Sequence, residues 1–126
     1  MNPAGRAILK PCHYRESEEM PNNSYPIQLS TGRNTYQFHT RTKTGRTPRL
    51  QQAAPEPLLT ISKEDAELAG VKDGEQVLVE SVRGSIQVPV FVGGIAKGQA
   101  FIPFHFGYWD KPDERSRAAN ELTQGE

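Results

Sequence analysis

The stretch Gln76-Val77-Leu78-Val79-Glu80-Ser81-Val82-Arg83-Gly84-Ser85-Ile86-Gln87-Val88-Pro89-Val90-Phe91-Val92 decides the fold class. Apolar and polar residues alternate on both sides of Arg83-Gly84, which is the period of a strand with one buried face. The spacing predicts a β-hairpin with arms over 76–82 and 85–92, and with Val77, Val79, Ile86, Val88, Val90 and Val92 turned toward a core. Pro89 cannot donate to a ladder, so the second arm is expected at a sheet edge or as a bulged strand.

Working outward, residues 58–61 read as a short buried strand. Ser62 follows as a helix cap, with Glu64 and Asp65 in the first turn, Ala66, Leu68 and Ala69 along the body and Gly70 as the stop. Asp73-Gly74, Gly93-Gly94 and Gly98 mark turns, and residues 99–104 read as a last strand running into His105-Phe106-Gly107. Upstream, 25–30 alternates as a strand with Pro26 at its start, leading directly into a turn at Thr31-Gly32-Arg33. Residues 33–54 are rich in Thr, Arg and Gly without regular periodicity and end at Pro55-Glu56-Pro57. A structureless segment of that length inside a compact domain is usually functional or disordered. Residues 1–24 read as a polar extension, and 108–126 as an irregular charged tail. Five or six short strands, one small helix and many glycine turns give a mainly β domain, and favour a closed barrel.

Composition bounds what such a domain can do. The chain has 126 residues with 15 basic and 15 acidic side chains, which suits one domain and argues against a coat for nucleic acid or membrane. Of its 26 Leu, Ile, Val and Phe residues, 19 lie between Leu58 and Phe106, so the flanks must wrap around that core or lean on a partner. A single cysteine, Cys12, excludes an internal disulfide and any cluster held by four thiolates of this chain. The start of the sequence has no apolar run long enough for a secretory signal, and the longest largely apolar stretch, 88–96, is too short to span a bilayer. The chain is expected in a reducing, cytoplasmic compartment.

Neutrality hides a dipole. Between Met20 and Pro55 there is no acid but five bases, Arg33, Arg41, Lys43, Arg46 and Arg49; between Glu56 and Val82 seven acids face two bases. Arginine forks and threonine hydroxyls beside a glycine turn are donors suited to phosphate, although a solvated basic loop has the same composition. A fingerprint with several glycines is absent. His39 and His105 have no carboxylate or cysteine at ligand spacing, so hydrogen bonding or packing suits them better than a metal. Cys12 and His13 are adjacent on an extended segment and point to opposite faces, which disfavours a nucleophile–base pair. Phe106, Tyr108 and Trp109 read as a packing cluster, with stacking on a heterocycle as the alternative. No catalytic machinery assembles; Glu64, Asp65 and Glu67 are ordinary charges of a small capped helix.

The ordered landmarks Leu29-Ser30-Thr31-Gly32-Arg33, Phe38-His39-Thr40-Arg41-Thr42, Arg46-Thr47-Pro48, Pro55-Glu56-Pro57, Asp73-Gly74, Arg83-Gly84, Pro103-Phe104-His105 and Ala119-Asn120-Glu121-Leu122-Thr123 resemble a known family. They are similar to the C-terminal molybdopterin-dinucleotide-binding domain of the dimethyl-sulfoxide-reductase family, which includes formate dehydrogenases and nitrate reductases. The resemblance covers nearly the whole chain, and the segment Gly5-Arg6-Ala7-Ile8-Leu9 resembles the close of the catalytic domain that precedes it in such enzymes. It implies a double-psi β-barrel with one or two short helices. It divides the chain into an extension (1–24), the barrel (25–110) and a tail carrying the Asn-Glu-Leu-Thr motif (111–126).

The implied ligand is the molybdopterin guanine dinucleotide cofactor in its molybdenum or tungsten form, shared with domains absent from this sequence. Thr31, Gly32 and Arg33 would bind its phosphates, His39 and Thr40 phosphate or pterin, Phe104 and His105 would close over it, and Asn120 would bond the pterin edge. The implied partner is a large catalytic molybdopterin oxidoreductase subunit or its domains. The metal ligand and iron–sulfur cysteines of that family have no counterpart here, and Cys12 does not match the ligand position. A competing reading is an anionic-ligand or nucleic-acid-binding β-barrel that uses the basic segment, with Tyr36 and Phe38 free to stack on bases.

Overall fold

The computed structural model describes residue 5, residues 7–107 and residues 117–123. Its elements in chain order are β1 (Gln28–Gly32), α1 (Pro48–Ala53), β2 (Leu59–Ile61), α2 (Lys63–Ala69), β3 (Gln76–Glu80), β4 (Ser85–Val92) and β5 (Gln99–Pro103), with single 3-10 turns at Thr44–Arg46 and Ala119–Glu121. The hairpin forms as its alternation predicts: β3 and β4 pair antiparallel, with Val77 opposite Val88 and Val79 opposite Ile86.

Pro89 does not confine β4 to an edge; β4 lies between β2 and β3. The reason is phase. Val90 donates to the Glu75 carbonyl and Ser81 to that of Gly84, so even-numbered residues of β4 exchange bonds with β3 and the Pro89 nitrogen faces the other side. On that side the parallel pairing with β2 begins only at Val90, so no ladder bond is lost.

The strand order is β1-β5-β2-β4-β3, with β1 parallel to β5, β2 parallel to β4, and β2 antiparallel to β5. Among the described residues this is an open sheet with β1 and β3 outermost, and the closure into a barrel expected from the glycine turns is not seen among them. Leu59, Ile61, Ile86, Val88, Val90, Ala100 and Ile102 form the core, joined by Ala66 of α2. Helix α2 is as read: the Ser62 hydroxyl accepts from the Asp65 amide at 3.0 Å, and Gly70 ends it in the left-handed conformation. Asp65 also ties the helix to the turn before β5, its carboxylate accepting from the Gly98 amide at 2.7 Å.

The C-terminal segment is less polar in role than in composition. Ala118, Ala119 and Leu122 are buried, the last two in the core cluster. Their 3-10 turn sits so closely on the hairpin that a Cβ on Gly84 would stand 2.8 Å from the Glu121 carbonyl oxygen. Tyr108 and Trp109 of the expected aromatic cluster lie outside the described residues.

One feature of the sheet positions the site. Because β1 and β5 are parallel with Gly32 opposite Pro103, both strands end at the same place. Phe104 then donates to the Gly32 carbonyl at 3.1 Å, so segments 33–41 and 104–107 leave the sheet side by side.

Candidate functional site

Thr31 and Gly32 are the last residues of β1 rather than a turn after it. Gly32 has no positive φ; its requirement is space, since a Cβ there would stand 2.8 Å from the Phe101 ring. The chain then turns at Asn34, whose side-chain oxygen accepts from the amides of Tyr36 (3.1 Å) and Gln37 (2.9 Å).

The segment that composition left as a structureless loop is ordered by polar side chains. Gln37 is buried and donates from its side-chain nitrogen to the Ala54 carbonyl at 2.9 Å, while its oxygen accepts from the Thr44 hydroxyl at 2.6 Å. The same hydroxyl oxygen accepts from the Phe38 amide at 3.2 Å. Pro48 then starts α1 at a position where its missing N–H costs nothing, a helix that the reading of an aperiodic Thr/Arg/Gly segment had not placed.

Arg41 is the least expected member. It is fully buried (0% exposed) with φ +61, its guanidinium 4.3 Å from the centre of the Phe106 ring and one nitrogen donating to the Gln51 oxygen at 3.0 Å. A guanidinium is costly to bury without such partners, so it fixes the back of the segment while giving the site a constant positive charge. Arg117 approaches the same ring, at 5.7 Å.

His105 joins the two segments. It is 1% exposed, and both ring nitrogens are engaged: Nε2 accepts from the Asn34 amide at 2.9 Å, and Nδ1 lies 2.6 Å from the His39 carbonyl oxygen. Burial holds its pKa below the usual imidazole range against the opposing pull of the His39 carbonyl, and the charges of Arg41, Arg33 and His39 act in the same direction as burial.

In front of this scaffold, Arg33 and His39 are exposed and meet each other, with Nη2 of Arg33 3.3 Å from Nε2 of His39. The hydroxyls of Thr40 and Thr42 pair at 2.6 Å beside them, and Phe38 packs edge-on against the His39 ring. The expected residues Thr31, Gly32, Arg33, His39, Thr40, Phe104 and His105 thus lie on two adjoining segments. Asn120 is exposed on the Ala119–Glu121 turn, which packs against β4 and Gly84. Sequence reasoning missed Asn34 and Gln37, and counted Arg41 among the donors of the basic segment rather than as its buried support. An Asx turn could have flagged Asn34, but an arginine between two threonines carries no mark of burial.

Chemically, the surface offers a guanidinium, an imidazole, threonine hydroxyls and backbone donors held by a buried second guanidinium, a donor set for phosphate oxygens. No group of three or more metal-ligating side chains occurs among the described residues, and Cys12 is exposed and free. A cavity of about 750 Å³ lies elsewhere, between β1 and β3, lined by sheet residues such as Leu29, Ile61, Val77 and Ala100 and by much of the segment 17–28. No helix among the described residues is long and apolar enough to cross a membrane.

Comparison with known proteins matches this architecture. Residues 27–126 fit the family model described as the molydopterin dinucleotide binding domain. The chain is 39% identical over 103 residues to the F420-dependent formate dehydrogenase subunit alpha of Methanocaldococcus jannaschii, covering 81% of this chain and 15% of that one. It is 36% identical over 124 residues to a nitrate reductase of Symbiobacterium thermophilum (96% and 16%), and 35% identical to the periplasmic nitrate reductase of Desulfovibrio desulfuricans (81% and 14%). Among solved structures, the acetylene hydratase from Pelobacter acetylenicus superimposes with a TM-score of 0.59 at 25% identity, over 65% of this chain and 11% of that one. The chain therefore spans only 11–16% of the length of these relatives, and the family match includes the segments that build the site. By this match the chain belongs to the molydopterin dinucleotide binding domain family.

Proposed function

We propose that this domain holds the pyrophosphate and pterin of a molybdopterin guanine dinucleotide within a molybdenum or tungsten oxidoreductase of formate dehydrogenase or nitrate reductase type. The observation that carries this reading is the paired exposure of Arg33 and His39 on a segment locked from behind by buried Arg41 and His105. That donor set fits an anionic dinucleotide: Arg33 neutralises phosphate charge, His39 and Thr40 add donors, and Thr31 and Gly32 bring backbone close. In this reading Phe104 closes over the ligand beside the segment, and Asn120 bonds the pterin edge from the Ala119–Glu121 turn. The metal centre supplies the redox chemistry when the cofactor is bound; this chain's share is to bind, orient and set the local charge.

The large catalytic partner belongs to the same reading, supported by the small share of each relative that the chain matches. So does the division at residues 24/25 and 110/111, as an extension, a barrel and a closing tail. The double-psi form of the barrel is supported by its two parallel pairs, β1/β5 and β2/β4, and by the fact that both outer strands line one cavity. A cytoplasmic location rests on a single free cysteine, although one relative is named as periplasmic.

The test is Arg33→Ala in the assembled enzyme. Bound molybdenum or tungsten per protein is expected to fall at least several-fold, with folding unchanged. Equal metal content in variant and wild type would remove Arg33 from the site. Steep salt dependence of oligonucleotide binding by the unmodified chain would instead favour a nucleic-acid module.

A further inference from the structure

His105 is placed to do something other than touch a ligand. A backbone N–H can only donate, so the Asn34 amide fixes Nε2 of His105 as an acceptor without a proton. The neutral ring then carries its proton on Nδ1 and donates it to the His39 carbonyl at 2.6 Å. One ring spans two backbone groups five residues apart, on either side of the Asn34 turn. It also holds a strained segment, since His39 (φ +43) and Arg41 (φ +61) both stand in the left-handed region that disfavours side chains.

We infer that His105 is the positioning residue of this site: as the neutral Nδ1–H tautomer it clamps residues 34 and 39 together, so that Arg33 and His39 face an anionic ligand as one surface, and a second proton opens the clamp. The inference rests on segment 33–41 being the ligand-binding element. Protonated Nε2 would point a donor at the Asn34 N–H, which breaks that bond and sets two donors face to face. The charged groups around the ring are Arg33, His39 and Arg41 on the facing segment, and Arg117 lies beyond the Phe106 ring. All are basic, so none stabilises an imidazolium.

The direction of the pH effect follows. With its folded pKa lowered, His105 contributes stability that is fully present above the usual imidazole value of about 6.5 and is lost as pH falls through the folded pKa. The site therefore holds its shape at neutral pH and loosens on acidification, before the apolar sheet does.

The experiment is a pH titration of the nitrogen-15-labelled 126-residue chain, following the imidazole nitrogens and the backbone amides. At neutral pH the His105 signals, assigned by their loss in His105→Gln, are expected to show a protonated Nδ1 and a bare Nε2. As the ring gains its second proton, the protection of the Asn34 amide, taken relative to its intrinsic exchange rate at each pH, should fall about five- to tenfold, the worth of one ordinary hydrogen bond. The Val88 amide in the sheet should stay protected. His105→Gln can place its carbonyl oxygen where Nε2 stood and should make Asn34 protection independent of this titration; His105→Asn cannot reach, and should lose it at every pH.

A protonated Nε2 at neutral pH, or Asn34 protection that ignores the titration, would overturn the clamp. If a variant fails to fold, shown by loss of Val88 protection, the wild-type titration still decides. Inorganic pyrophosphate added at pH 7 tests the ligand reading separately. Shifts at the Arg33 and His39 amides, about fivefold weaker in affinity for His105→Asn than for His105→Gln, support both readings. No shift in any variant, with the clamp intact, would overturn the ligand reading alone.

Discussion

The β3–β4 hairpin and the segment 33–54 belong to one chain but are held together by different forces. The hairpin buries Ile86, Val88 and Val90 to 1% exposure or less, and its stability is that of apolar surface removed from water. The segment buries Gln37 and Arg41 instead, and owes its shape to side-chain oxygens and nitrogens that meet backbone groups and one another at fixed distances. Apolar burial is non-directional and tolerant. A polar network is directional and fails when one member is lost. A domain that must present charge to a ligand has reason to use the first for its scaffold and the second for its site.

The largest effect separating the two should come from the scaffold. Ile102 is fully buried in β5 at the centre of the core cluster, and Ile102→Ala is expected to destabilise the fold by about 2–5 kcal/mol through lost transfer energy and a residual cavity. Urea unfolding should show sheet and site lost together at a lower midpoint. A site that melted while the sheet kept its midpoint would break the comparison at its base.

Arg41→Met should separate the two regions. The methionine keeps apolar contact with Phe106 but cannot donate to Gln51, so about 1–3 kcal/mol should be lost within the segment. Faster amide exchange at residues 34–44, with β4 amides unchanged, is the expected pattern. Uniform loss across the sheet would mean that Arg41 supports the core as well.

Legibility in the sequence divides along the same line. The hairpin, β2, the capped helix α2 and β5 were readable because apolar periodicity and cap chemistry are local signals. The fold class follows from them, and Ser62 and Gly70 act as their types suggest. Strand order was not readable, because pairing partners are distant in sequence; Pro89 therefore suggested an edge or a bulged strand, when only the phase of its nitrogen matters. The exposed residues of the site, Arg33, His39 and Thr40, could be chosen from charge asymmetry and family likeness. The interior of the site could not. A buried arginine or glutamine has the composition of a solvated loop until its partners are known, and here those partners, Gln51, Phe106 and Ala54, lie ten to sixty-five residues away. Burial of Ala118, Ala119 and Leu122 was hidden in the same way, by the polar residues between and around them.

Ser62→Ala sharpens the comparison at a smaller scale, because this cap is a polar device inside the apolar region. Its hydroxyl accepts from the Asp65 amide and donates to the Asp65 carboxylate at 2.7 Å, and Asp65 in turn holds Gly98. The expected loss is about 1 kcal/mol, read as a lower unfolding midpoint without a change in slope. No change would mean that the Asp65–Gly98 bond alone fixes the end of α2.

The smallest effect on stability is expected at the residue on which the function rests most. Arg33 is exposed, and its contact with His39 is a single long bond at 3.3 Å between groups open to water. Replacing it with alanine should move the unfolding free energy by less than about 0.5 kcal/mol, the ordinary range for a surface position. The sign is informative. Arg33 stands beside His39 with the Arg41 guanidinium buried behind them, and the next acid in the chain is Glu56, so removing one guanidinium relieves repulsion as well as breaking a weak contact. A small gain in stability from Arg33→Ala, reduced when salt is added, would mean that the segment stores unfavourable charge in its free state and releases it when an anion binds. A loss above 1 kcal/mol would instead make Arg33 part of the polar network behind it, and the division between a presenting surface and a supporting scaffold would have to move forward by one residue.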